Sequence, residues 1–126
     1  DLTFDKHLAW RAPQPINADA MHEAAQALVG KHDFTTFRDS QCQADSPIRT
    51  LSKIGVMRDG QEVRLVVSAP SFLHRQVRSI TGSLMEVGKG KHPVSWIGEI
   101  LKAGDRNACG PVAPPDGLYL TQVDYD

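Results

Sequence analysis

The sequence predicts an α+β fold, an antiparallel β-sheet with helices packed on one face. Three observations predict it. Residues 48–69 form two runs of alternating apolar and polar side chains around Asp59-Gly60, the pattern of a β-hairpin. Leu73, Val77, Ile80, Leu84 and Val87 then recur at helical spacing within residues 71–90. Leu118 to Tyr125 returns to alternation, so a strand follows the helices. The length of 126 residues suits one domain, 1–126. A composition of 40% hydrophobic and 23% charged residues suits an ordinary globular domain able to bury a core without covalent staples.

Asp1 to Pro15 reads as an extended lead-in, because Leu2, Phe4, Leu8 and Trp10 are unevenly spaced and Pro13 and Pro15 forbid a continuing helix. Asn17 is an N-cap, since its side chain can accept from the free amides of a first turn. Met21, Ala24, Ala25, Leu28 and Val29 form the apolar face of that helix, and Gly30 is its stop. His32 to Ser46 is a short helical turn and a loop, with Phe34 and Phe37 three apart as core plugs rather than base-stacking platforms. Ile48–Met57 and Gln61–Ala69 are the hairpin strands, joined by a type I′ turn with Asp59 and Gly60 at its centre.

Pro70 punctuates before the long helix, and Gly88 and Gly90 end it. On the side opposite the apolar stripe, Ser71, Arg75, Arg78 and Gly82 line up at about 100° per residue. Pro93 suits the first turn of the next helix, whose buried face is Trp96, Ile97, Ile100 and Leu101 and whose end is Gly104. Gly110 to Gly117 is a stiff loop with three prolines, and it fixes where the last strand begins.

Charge and motifs narrow the chemistry. The net charge is −1, yet residues 71–92 carry Arg75, Arg78, Lys89 and Lys91 against Glu86, a balance of +3. Residues 105–126 carry −3. A local basic zone on a near-neutral chain suits one anionic segment better than a general coating of nucleic acid. Arg75 and Arg78 are close enough to reach one phosphate or carboxylate, which a guanidinium fork pairs well. Glu86 lies within two turns of Arg78 and reads most simply as an exposed helix glutamate. Cys42 and Cys109 are far apart and read as free thiols. The five histidines show no metal spacing, no apolar run approaches about 18 residues, and no nucleophile or phosphate-loop motif is present.

Four segments together resemble one known family. S-F-L-H-R-Q-V-R-S-I-T-G-S-L-M-E-V-G-K-G, from Ser71 to Gly90, is similar to the arginine helix of the tRNA pseudouridine synthase A (TruA) family. H-D-F-T-T-F-R (32–38), C-Q-A-D-S-P-I-R-T-L (42–51) and D-R-N-A-C-G-P-V-A-P-P-D-G-L-Y-L (105–120) resemble three further motifs of that family, in its order. The resemblance implies an enzyme that converts uridine to pseudouridine in the tRNA anticodon arm, with no metal or organic cofactor, as a cytoplasmic homodimer. It implies the RRM-like, ferredoxin-like lobe of that fold.

By residue-wise matching, Arg78 is the family's active-site arginine, which orients a catalytic aspartate, and Leu118 is its apolar contact under the target base. Arg75 matches a variable position and receives no role. Ser79 stands where many members have asparagine. The aspartate itself belongs to an upstream G-R-T-D motif that this chain does not contain. The resemblance therefore maps the chain onto the C-terminal half, with the active site shared with an N-terminal lobe and the chain alone inactive. The first residue is Asp1 rather than Met, which suits a piece of something longer. Lys89, Lys91 and Arg106 are candidates for tRNA phosphate contact. Two other classes fit the same elements: a non-catalytic RNA-binding sheet, which lacks the aromatics expected on its hairpin, and a protein-interaction domain whose arginines meet a partner's carboxylates.

Overall fold

The structure, a computed structural model, describes residues 4–11, 15–38, 46–72 and 76–110, together with the backbone of 118–125. The elements are β1 (Phe4–Arg11), α1 (Ala18–Ala25), β2 (Gly30–Asp33), β3 (Ile48–Leu51), β4 (Lys53–Asp59), β5 (Glu62–Ala69), α2 (Gln76–Gly88), α3 (Trp96–Ala103) and β6 (Leu118–Tyr125). Short 3₁₀ turns cover Gln26–Leu28, Thr35–Phe37 and Arg106–Ala108. An antiparallel four-stranded sheet has the order β4-β5-β1-β6, and β2 and β3 form a separate antiparallel pair. The α+β class is as the sequence predicts.

The expected lead-in is instead β1, an inner strand of the main sheet, paired from Phe4↔Ala69 to Arg11↔Glu62 with β5 and from Phe4↔Tyr125 to Trp10↔Leu118 with β6. Its sequence hid this because Leu8, Ala9 and Trp10 are all buried, so both faces are covered there and the usual alternation disappears. On β5, Val63, Leu65, Val67 and Ala69 are buried in the core while Arg64 between them is exposed. They join Leu8, Trp10, Ile54 and Val56 in one apolar cluster with Met21 and Leu28, Leu84 and Val87 from the arginine helix, and Ile97 and Ile100. The helices thus cover one sheet face.

Asn17 caps α1 as predicted, its Oδ1 accepting from the Ala20 amide at 3.0 Å. The helix stops earlier than Gly30. It tightens into the 26–28 turn, Val29 is extended and partly exposed, and Gly30, at φ 105°, opens β2. β4 lies at the sheet edge, and α1 covers that edge with side chains. His22 Nδ1 accepts from the Val56 amide at 3.1 Å, and Gln26 Nε2 donates to the Ile54 carbonyl at 2.9 Å.

The first hairpin strand breaks at Ser52. Residues 48–51 pair with β2, and only 53–59 pair with β5. Because Asp59 pairs with Glu62, the two turn residues are Gly60 and Gln61, one position later than predicted, and the positive φ of 63° falls on Gly60. The predicted loop 32–46 instead begins within a strand, Gly30–Asp33, whose last two residues precede its helical turn. Residues 39–45 lie outside the described residues. Gly104 closes α3 at φ 58° as predicted, while Pro93 lies just before that helix, its carbonyl accepting from the Trp96 amide at 3.0 Å.

β6 has the predicted bounds, but its pairing with β1 shifts between His7 and Leu8. His7 pairs with Gln122 and Leu8 with Leu120, leaving Thr121 as the extra residue of a bulge. The shift puts Leu118, Leu120, Val123 and Tyr125 opposite Trp10, Leu8, Lys6 and Phe4, four alternate residues of β1. Strict alternation along residues 118–125 would have divided those four apolar residues between two faces. The predicted loop at 111–117 lies outside the described residues.

Candidate active site

The arginine helix, α2, is described from Gln76 to Gly88, with Gly90 at φ 81° beyond it. Val77, Ile80, Leu84 and Val87 are buried as the stripe predicts. Leu73 and Arg75 lie outside the described residues, and Ser71 is exposed ahead of the helix. The opposite side is not an open polar face. Gln76, Ser79, Thr81, Gly82 and Ser83 are also buried, so the approach expected over Gly82 is closed. Thr81 Oγ1 satisfies itself on the Val77 carbonyl at 2.7 Å.

Arg78 is the exception. It is half-buried in the first turn of α2, and no hydrogen bond or ion pair links it to any described residue. A partly desolvated guanidinium favours an anionic partner strongly, because charge-assisted pairs gain most where water is scarce.

The segment after α3 packs onto α2 at Ser79 and Ser83. Gly110 donates its amide to Ser83 Oγ at 3.1 Å, and Cys109 Sγ lies 3.4 Å from the same hydroxyl and 3.8 Å from the Ser79 carbonyl. Burial pushes the Cys109 thiol above its usual range, against smaller opposing effects of Ser83, Arg106 and Ser79, so this free thiol stays protonated at neutral pH. Cys42 lies outside the described residues. A methyl group at Gly110 would stand 3.1 Å from Ser83 Cα and 3.2 Å from Trp96 Cη2, so only glycine fits without displacement. Trp96 in turn stacks on His92, with ring centres 3.8 Å apart.

Thr36 ties a second segment to the same region. Its hydroxyl donates to the Ile100 carbonyl at 2.7 Å and accepts from the Asp105 amide at 3.1 Å. Phe34 and Phe37 on either side are fully buried, core plugs as predicted. Arg106 Nε donates to the Arg38 carbonyl at 2.6 Å, so this candidate phosphate contact already holds the two segments together. Lys91 Nζ lies 4.0 Å from Glu86, whose side chain is only 14% exposed rather than solvated as expected. Lys89 is exposed and has no partner among the described residues. For Leu118 the backbone alone is described, opposite Trp10 in the sheet. At the other end of β1, Lys6 Nζ sits 4.7 Å above the Phe72 ring, and partial burial lowers its pKa. Among the described residues no three His, Cys, Asp or Glu side chains gather as metal ligands would, and no helix is long and apolar enough to cross a membrane.

Three segments of the sequence resemblance thus meet in space: 32–38, 76–90 and 105–110. A family model described as tRNA pseudouridine synthase matches residues 24–126, which includes all three. The chain belongs to the tRNA pseudouridine synthase family. It is similar to proteins named tRNA pseudouridine synthase A: 62% identical over 124 residues to one from Hyphomonas neptunium and 61% over 126 residues to one from Rhodopseudomonas palustris. A third, from Maricaulis maris, is 60% identical over 124 residues. These matches cover 98%, 100% and 98% of this chain but 50%, 51% and 50% of those relatives. The chain spans about half the length of the curated relatives it matches.

Within this pseudouridine synthase chain, sequence reasoning singled out Arg78 and missed Ser83, Gly110 and Thr36 as the residues that join the segments. The signals were present but ordinary. A glycine after a cysteine and a threonine between phenylalanines carry no distinctive periodicity.

Proposed function

We propose that this chain is the C-terminal lobe of a cytoplasmic, homodimeric tRNA pseudouridine synthase that isomerises uridine to pseudouridine in the anticodon arm. Membership of the family supports the reaction, and the half-length match to relatives supports the assignment to one lobe. The observation that carries the reading is Arg78, a half-buried cation at the start of α2 with no anionic partner among the described residues.

In this reading the partner is the catalytic aspartate of the N-terminal lobe. The guanidinium holds that carboxylate ionised and aimed, since an adjacent opposite charge favours the charged form and a fork of N–H donors fixes its orientation. The aspartate attacks the target nucleotide, which must first leave its stack. Its base is detached, turned and rejoined through carbon. Leu118 supports the flipped base by apolar contact. Lys89 and Lys91 contact backbone phosphate, and Arg106 contributes through guanidinium nitrogens other than the Nε held by Arg38. No cofactor takes part.

The test is the full-length enzyme carrying Arg78→Ala, assayed on an unmodified tRNA transcript. Turnover should fall by about a hundredfold or more, the order seen when an oriented charged group is removed from a transition state, while tRNA affinity changes little. Near-normal turnover would remove the role given to Arg78.

A further inference from the structure

α2 ends in a turn that its own backbone closes. The amides of Lys89, Gly90 and Lys91 donate to the carbonyls of Met85, Val87 and Glu86 at 2.9, 3.0 and 3.0 Å, and Gly90 takes φ 81°. Lys89 and Lys91 are exposed on this turn. Lys89 has no partner among the described residues, and the Lys91 side chain is 62% exposed, with Glu86 at 4.0 Å as a loose ion pair that contributes little. The next residue, His92, is half-buried and lays its ring flat on Trp96, with centres 3.8 Å apart and planes 8° from parallel. Trp96 is backed by the 106–110 segment, since a methyl group at Gly110 would stand 3.2 Å from its Cη2. Trp96 is the one ring contact of His92 among the described residues, and no hydrogen bond or ion pair links His92 to any of them. Two exposed ammonium groups thus stand within three residues of an aromatic ring stacked on one side only. Cations for phosphates beside a ring for a base are the combination that holds single-stranded nucleic acid.

We propose that His92, backed by Trp96, is a stacking platform for an unpaired base of the tRNA anticodon loop, with Lys89 and Lys91 on the adjoining phosphates. The proposal rests on the tRNA reading given above and adds a base contact to it. A simple polyanion would use the lysines and leave the ring idle, so the His–Trp stack favours a nucleotide. The ring is already seated on Trp96, and a base that stacks on it loses little affinity to ordering the side chain. His92 lies beyond the end of α2, and the ten positions from Arg78 to Gly88 alone span about 15 Å at 1.5 Å per residue. The platform therefore meets a different nucleotide from the one at Arg78 and serves binding.

The full-length enzyme tests the platform through its affinity for an unmodified tRNA transcript over a range of salt. His92→Ala should weaken binding roughly tenfold, as loss of one stacked base does, and leave the salt slope unchanged. His92→Phe keeps a ring and should bind within about twofold of the wild-type enzyme. Lys89→Ala and Lys91→Ala should each reduce the slope by about 0.7. When the loop nucleotides are made abasic one at a time, one position should lose as much affinity as His92→Ala, and the two losses should not add. Undiminished binding by His92→Ala would overturn the platform, as would His92→Phe no better than His92→Ala, or additive losses at every abasic position. Unchanged slopes in both lysine variants would remove the phosphates from it. A wild-type enzyme that binds the transcript yet makes no pseudouridine would overturn the reaction proposed above and not the platform, which the affinities decide.

Discussion

Thr36 bridges the Ile100 carbonyl and the Asp105 amide from a fully buried position. Thr36→Val keeps the shape but leaves both groups without a partner, so unfolding free energy should drop by about 1–3 kcal/mol in urea titration. Phe34 and Phe37 beside it are legible in the sequence as apolar plugs because they are large and three apart in a polar run. Thr36 is not, because a threonine has the same appearance whether its hydroxyl faces water or two distant backbone groups. Asp33 is tuned locally. The Thr35 hydroxyl and then the Thr35 amide donate to its carboxylate at 2.6 and 2.9 Å and hold its pKa below the ordinary 3.8. A lowered folded pKa stabilises the fold above the ordinary carboxylate range, and that small contribution is lost as pH falls through the folded value. Carboxyl titration by NMR should find Asp33 below 3.8, and Thr35→Val should move it upward.

At the scale of elements, β1 shows why one inner strand escaped the sequence and its neighbour did not. β5 alternates because Arg64 meets water between buried Val63 and Leu65, whereas in β1 Ala9 is as buried as Leu8 and Trp10. Alternation reports one wet face, and where both faces are covered the signal is gone. Helix ends were readable where one residue decides them, as at Asn17 and Gly104, and less so at α1, whose end is a gradual tightening. Packing of α1 on α2 depends on Gly88. A Cβ there would fall 2.6 Å from Met21 Sδ and 2.8 Å from Ile16 Cγ2. Gly88→Ala should therefore cost about 1–3 kcal/mol by overpacking, and Met21→Ala should cost less in that background than in the unchanged protein, a coupling read from urea midpoints of the double-mutant cycle. At the outer edge of β4, His22 and Gln26 occupy backbone groups that would otherwise template another strand. Replacing both with alanine should destabilise the fold by about 1 kcal/mol per bond lost, and light scattering should show greater self-association.

The fold brings three motif segments together around α2 and leaves the half-buried Arg78 without a partner among the described residues. Sequence alone gave the α+β class, the arginine and the family resemblance, because each rests on local pattern or on residues in fixed order. The joining contacts Thr36–Asp105 and Ser83–Gly110 span 69 and 27 residues along the chain, which no local pattern encodes. Arg78 as half of a site is the central claim. It is tested by adding this chain to an unmodified tRNA transcript, alone and together with the separately prepared N-terminal half, and measuring pseudouridine. The chain alone should form none, the mixture should form it, and the mixture made with Arg78→Ala should lose nearly all of it. Pseudouridine from the chain alone, or equal yield from the Arg78→Ala mixture, would contradict a site completed by a carboxylate from the other half.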